Sequence, residues 1–136
     1  MINILFLCTG NSARSILAEV IVNQVLTRPD VTAFSAGSHP NGIVNPGAIQ
    51  ELQTRGYGIE GLASKSWDVF TAQDGAQIDW VITLCDSAAN EVCPVFPGQC
   101  RREHWGLPDP ATGAATFPDT FDAIVAKVDA FYRDLS

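Results

Sequence analysis

The apolar run Ile2 to Leu7 ends directly in Cys8-Thr9-Gly10-Asn11-Ser12-Ala13-Arg14-Ser15, and a helical repeat starts at once behind it. Bounded by turn residues and too short for a helix, the run reads as a buried strand. A strand that turns tightly into a helix leaves backbone N–H groups converging above the helix N-terminus, a cradle for a tetrahedral oxyanion. Gly10 and Asn11 suit positions where φ turns positive so that successive N–H groups point the same way. Five residues separate Cys8 from Arg14. The arginine's planar fork can hold two oxyanion oxygens, which a lysine cannot do. In that positive field Cys8 is expected as a thiolate and hence a nucleophile, with Ser15 donating a hydrogen bond to it. Thr9, Gly10, Asn11, Ser12, Ala13 and Arg14 are the expected oxyanion-binding residues. A nucleoside triphosphatase loop is excluded, because its Gly-Lys-Ser/Thr ending is absent.

The remaining chain must supply one core and no more, since 136 residues suit a single domain over 1–136. Fifteen acidic residues against eight basic ones give a formal net charge of −7. Without a basic cluster, nucleic acid is not an expected partner. No apolar run reaches membrane-spanning length, and Met1 leads into a strand rather than a signal peptide, so a cytoplasmic protein with no membrane partner is expected. In a reducing compartment four cysteines point to catalytic or redox work rather than to staples. Their positions, 8, 85, 93 and 100, lack the paired Cys-x-x-Cys spacing of a zinc site.

Ile16, Leu17, Val20, Ile21 and Val25 continue at helical spacing to about Leu26, and Pro29 ends that helix. Val31 to Ala36 reads as a second strand and Gly37 to Gly42 as a loop, in which His39 receives no role. Asn45 caps a further helix with Pro46 in its first turn and Gly56 at its end. From Gly56 to Gly75 the pattern is mixed, and Trp67 fits either a core or a site-shielding position. Asp79 to Cys85 is a third strand, apolar enough to be covered on both faces. Arg101 to Trp105 is a weaker, edge-like fourth. Phe121, Ile124, Val125, Val128, Phe131, Tyr132 and Leu135 form the apolar stripe of a C-terminal helix. Alternating strands and helices imply a small α/β layer fold with right-handed crossovers and its site at the strand carboxyl ends. Cys8 and Cys85 both fall there.

The loop Cys8 to Ser15 resembles the active-site loop of arsenate reductases built on the low-molecular-weight protein tyrosine phosphatase fold. The similarity recurs at Phe34-Ser35-Ala36-Gly37, at Val81-Ile82-Thr83-Leu84-Cys85 and at His104-Trp105-Gly106-Leu107-Pro108-Asp109-Pro110. The resemblance implies a three-layer sandwich whose central four-stranded parallel sheet carries helices on both faces. It also implies reduction of arsenate to arsenite. Asp109 matches the general acid that protonates the leaving oxygen. Cys8 would form the thiol–arsenic adduct, Cys85 would attack the Cys8 sulfur, and Cys93 would attack Cys85, presenting a disulfide to a reductant. Ala88, Ala89 and Asn90 between them suit a segment that is helical in one state and looped in another. Cys100 is read as structural or incidental. Asn11, Glu19, Ser35 and Asp68 match residues around a potassium site in thioredoxin-coupled members, although Glu19 alone reads as a solvent-facing carboxylate. No tightly bound cofactor besides that ion is implied.

The Cys85–Cys93 spacing is one residue longer than in the best-matched thioredoxin-coupled members, and the surrounding residues look more like a proteobacterial branch. The reductant is therefore expected to be either thioredoxin or glutathione with glutaredoxin, acting on a monomer. The alternative enzyme is a low-molecular-weight phosphatase using Cys8, Arg14 and Asp109 on phosphate monoesters. Ile16 stands where those phosphatases usually have Pro, and no tyrosines follow Asp109-Pro110 to grip an aromatic substrate. A non-catalytic arsenic sensor would need the thiols but neither Arg14 nor Asp109.

Overall fold

The computed structural model describes residues 2–11, 13–70, 77–84, 101–108, 110, 113 and 115–135. Strands β1 (Ile2–Leu7), β2 (Val31–Ala36), β3 (Trp80–Thr83) and β4 (Arg101–His104) form one parallel sheet in the order β2-β1-β3-β4. Leu7 stands opposite both Ala36 and Thr83, and Thr83 opposite His104, so all four strands finish level. Every chain leaving the sheet at that end enters the same space.

Period-2 alternation sends Ile4 and Phe6 of β1 to one face and Leu5 and Leu7 to the other, all four buried. Three helices cover the first face: α1 (Arg14–Val20), α2 (Pro46–Thr54) and α3 (Phe117–Leu135). The apolar stripe of α3 reaches it through Phe121, Ile124, Val128 and Phe131. Phe131 meets Trp80 edge-on at 4.9 Å and Trp105 at 5.9 Å, and Trp105 in turn lies 5.7 Å from Phe6. On the opposite face Leu5, Leu7, Ala36, Phe70, Ile78 and Val81 form a smaller cluster. The 3₁₀ turn Trp67–Phe70 covers it, and Trp67 packs there half-buried, a core role.

The helix expected to run to Leu26 changes character midway. It is α-helical to Val20 and then a π turn over Ile21–Val25, closed by Leu26 N–H donating to the Ile21 carbonyl at 2.8 Å. In this wide turn the Asn23 side chain donates to the Ala33 carbonyl (3.0 Å) and accepts from the Ala33 N–H (2.9 Å). That two-bond bridge covers backbone groups which edge strand β2 would otherwise present to solvent. The third strand closes at Thr83, short of the expected Cys85. The fourth closes at His104 with all its residues exposed, charges blunting an open edge.

Asn45 caps α2 as expected, accepting the Gly47 N–H at 2.8 Å, and Gly56 takes a φ of 86° just beyond its end. Gly47 is also a packing position, because a Cβ there would lie 2.4 Å from the Phe117 ring. Among the described residues, no helix is long and apolar enough to cross a membrane.

Candidate active site

Cys8 follows the last residue of β1 and is buried, and its N–H donates to the Ala36 carbonyl at 3.3 Å. The turn that follows is braced from outside by two segments distant in sequence. His39 N–H donates to the Thr9 carbonyl (2.9 Å), while Asn41 N–H and the Ser64 hydroxyl donate to the Gly10 carbonyl (both 3.0 Å). A planar trans peptide carries its N–H opposite its C=O. Fixing these two carbonyls outward therefore aims the amides of Gly10 and Asn11 the other way, into the loop. Asn11 holds the positive φ that the cradle needs, 44°, and is fully buried.

The Asn11 side chain locks the turn to its surroundings. Its Nδ2 donates to Ser15 Oγ (2.9 Å), and its Oδ1 accepts the Lys65 N–H (2.8 Å). Accepting that bond leaves the Ser15 hydroxyl proton available for another acceptor. Ala13 occupies the N-cap of α1 and carries no acceptor of its own. A Ser or Asp there would fill the helix terminus that an anion needs. Arg14 opens α1, and its Nη1 donates to the Leu107 carbonyl at 2.7 Å, fixing the direction of the guanidinium.

Hydrogen bonding continues past the strand ends. Leu84 N–H donates to the Leu7 carbonyl, and Leu107 N–H to the Leu84 carbonyl, each at 2.9 Å. The segments leading toward positions 85 and 109 are thus anchored beside the loop. Ser12, Cys85, Cys93, Cys100 and Asp109 lie outside the described residues.

Gly37 explains how the brace comes so close. A Cβ there would stand 2.4 Å from the Thr9 carbonyl oxygen, 2.6 Å from that of Cys8 and 3.0 Å from Asn11 N. Only hydrogen fits. Gly37 also donates its N–H to the Lys65 carbonyl (2.9 Å) and accepts from Trp67 N–H (3.0 Å), so residues 65–67 are stitched to the loop's support.

Beside the loop, Ser35 Oγ–H donates to Glu19 Oε1 at 2.6 Å, and Lys65 Nζ lies 3.9 Å from the same oxygen. Glu19 is not the solvent-facing carboxylate that its isolated position in the sequence suggested, for its side chain is only 15% exposed. Burial pushes its carboxyl above the usual range, opposed by the Ser35 hydrogen bond and by the positive Lys65. Asn11, Glu19 and Ser35 thus gather around Lys65, while Asp68 sits exposed in the first turn of the 3₁₀ helix.

Sequence reading did not single out Gly37, Asn41, Ser64, Lys65 or Leu107 as supports. Four of them act through backbone groups or through the absence of a side chain, and composition carries no mark of that. Gly37 and Leu107 left a trace, each inside a segment that carries the family resemblance.

A tight turn between a cysteine and an arginine, with its carbonyls tied outward at the carboxyl edge of a parallel sheet, is the arrangement expected of a thiol-based oxyanion enzyme. The chain belongs to the low molecular weight phosphotyrosine protein phosphatase family, whose sequence pattern matches residues 3–136. Arsenate reductase 2 of Staphylococcus saprophyticus is 38% identical over 130 residues, 95% of each chain. A solved arsenate reductase in its oxidized state is 28% identical over 100% of both chains, with a TM-score of 0.78. A thioredoxin-dependent arsenate reductase from Corynebacterium glutamicum shares the fold with a TM-score of 0.75 at 22% identity. The alignment takes in 98% of this chain and 61% of that one.

Proposed function

We infer that this protein reduces arsenate to arsenite. The observation that carries the reading is the loop itself, with the Thr9 and Gly10 carbonyls tied outward and Cys8 and Arg14 at its two ends. Inward-facing amides and a guanidinium bind a tetrahedral oxyanion and stabilise charge developing on it. The relatives named above, arsenate reductases covering nearly the whole chain, supply the choice of arsenic as the reacting centre.

In the proposed sequence the Cys8 thiolate forms a bond to arsenic while one oxygen leaves as water, its proton supplied by Asp109. Ser15, whose oxygen already accepts from Asn11, turns its proton toward the thiolate. The Cys85 thiolate next attacks the Cys8 sulfur. The sulfur–arsenic bond breaks with its electron pair passing to arsenic, arsenite departs, and a Cys8–Cys85 disulfide remains. Cys93 then attacks Cys85, releasing the Cys8 thiolate and leaving a Cys85–Cys93 disulfide. A dithiol donor of the thioredoxin type, or glutathione with glutaredoxin, returns two electrons. We place the protein in the cytoplasm as a monomer, where a reducing pool keeps the three thiols ready.

The test is arsenate-dependent NADPH oxidation by the purified protein with each donor system in parallel, thioredoxin with its reductase and glutathione with glutaredoxin and glutathione reductase. Turnover in either establishes the reductase and names the donor. The family's own chemistry favours a second reading, hydrolysis of phosphate monoesters by Cys8, Arg14 and Asp109. Silence with both donors together with rapid aryl phosphate hydrolysis would select it.

A further inference from the structure

We infer that the Lys65 ammonium is a built-in cation that holds the oxyanion loop in its binding shape, replacing an alkali metal ion beside Glu19. Lys65 is a positioning residue, and this role rests on the oxyanion-loop reading, not on the redox steps. Three of the side chains that would have to surround a metal ion are already hydrogen-bonded to one another or paired with Lys65. Asn11 Oδ1 accepts the Lys65 N–H, the Ser35 hydroxyl donates its proton to Glu19, and Lys65 Nζ stands 3.9 Å from the Glu19 carboxylate. A second positive charge placed there would face the ammonium at close range, where like charges repel strongly. Asp68, the fourth oxygen donor in the implied set, is exposed on the 3₁₀ turn, its N–H on Ser66 Oγ at 3.2 Å.

The same residue touches the loop and the helix behind it. Its backbone N–H holds the amide of Asn11, the residue at positive φ, and its carbonyl accepts from Gly37, the closest support of the loop. Its side chain reaches toward Glu19 on α1 and donates to the Ala63 carbonyl at 3.0 Å. The Lys65 side chain is 26% exposed and that of Glu19 15%, so the pair is poorly screened by solvent. A buried carboxylate left without its cation is costly. Removing the Lys65 charge should therefore disturb α1 and Asn11 together and create a demand for a cation from solution.

The experiment measures the thermal midpoint and inorganic phosphate binding by calorimetry, in potassium and in tetramethylammonium salts of equal ionic strength. For the unaltered protein both quantities should agree between the two salts. Lys65→Met should weaken phosphate binding by about tenfold in tetramethylammonium, roughly 1.4 kcal/mol, and potassium should restore at least part of it. The double variant Glu19→Gln/Lys65→Met, which leaves no uncompensated charge, should regain most of the loss and respond to neither salt. A potassium-specific rise in midpoint or phosphate affinity of the unaltered protein would overturn the inference without any variant. So would a Lys65→Met protein indistinguishable from it, or a double variant as weak as the single, which would mean that Lys65 attracts the anion directly. Should Lys65→Met fail to fold, the double variant and the salt comparison still decide. An unaltered protein that binds no phosphate in either salt would remove the loop reading itself; arsenate turnover is read separately and leaves the cation question untouched.

Discussion

The two faces of the sheet are finished differently. On one, three helices bury Ile4, Phe6, Leu17, Ile82, Leu84 and Ile124 completely, in a core of aliphatic and aromatic contacts. On the other, the described cover is the single 3₁₀ turn carrying Trp67 and Phe70, and the residues just before it are Ser64 and Lys65, which brace the oxyanion loop. On the helical face α1 carries the candidate site residues Arg14 and Ser15, while α2 and α3 serve the core. On the face that carries Trp67, one short segment among the described residues serves both core and site.

The sharpest way to divide the two is at the loop. Cys8→Ser should lower arsenate turnover by at least about a thousandfold while leaving the denaturation midpoint in place, since the change is nearly isosteric. Steady-state assays beside urea titrations check both halves; retained turnover would break the mechanism. Gly37→Ala should reduce activity and stability together. Its methyl group meets carbonyl oxygens of the loop rather than a side chain that can turn aside, for an expected cost of about 2–4 kcal/mol and weaker phosphate binding. Ile124→Ala, deep in the helical face, should lose a comparable amount, about 2–5 kcal/mol, with kcat/KM near normal in the folded fraction. Equal activity losses for these two variants would erase the distinction between the faces.

Smaller effects test whether the helical side is built from independent parts. Asn45→Ala removes the acceptor of the Gly47 N–H and should cost about 1 kcal/mol with no change in oxyanion affinity. Smallest of all is the pairing of Arg28 with Asp30, a 2.9 Å ion pair at the start of β2. The Arg28 hydrogen bond holds the Asp30 carboxyl below its usual range. Its contribution is thus present above the ordinary carboxylate pKa and is lost as pH falls through the lowered one. Asp30→Asn should lower stability slightly at neutral pH and leave it unchanged below the lowered pKa, so that the acid limb of the stability–pH curve flattens, as thermal melts from acidic to neutral pH would register.

Much of this is legible in the sequence. The strand–turn–helix at Cys8, the Asn45 cap and the stripe on α3 each carry side-chain signatures and stand where those signatures put them; the third strand, expected over Asp79 to Cys85, closes at Thr83. The π turn at Ile21–Val25 was not legible, because its apolar residues satisfy a helical repeat either way. The pairing of Asn23 with Ala33 goes with the π turn, and that partner lies ten positions on, outside the helical repeat. Lys65 escaped for a related reason. Between Ser64 and Ser66 it looks like an ordinary loop lysine until the fold brings Asn11 to its amide and Glu19 to its ammonium.

The parallel order β2-β1-β3-β4 has a kinetic consequence. Its central strand comes first in the chain, and Asn3 finds its partner Asp79 across 76 positions; the braces from Ser64 and Lys65 to the loop span 54. Closing such long loops is slow and makes folding depend on distant contacts. The loop's braces therefore depend on long-range pairings, and a fragment lacking residues 64–65 would lack them. An oxyanion then binds the finished state alone and pulls the folding equilibrium toward it, by about 2.7 kcal/mol at a hundred times its dissociation constant. Arsenate would be both the substrate and a chaperone of its own reductase.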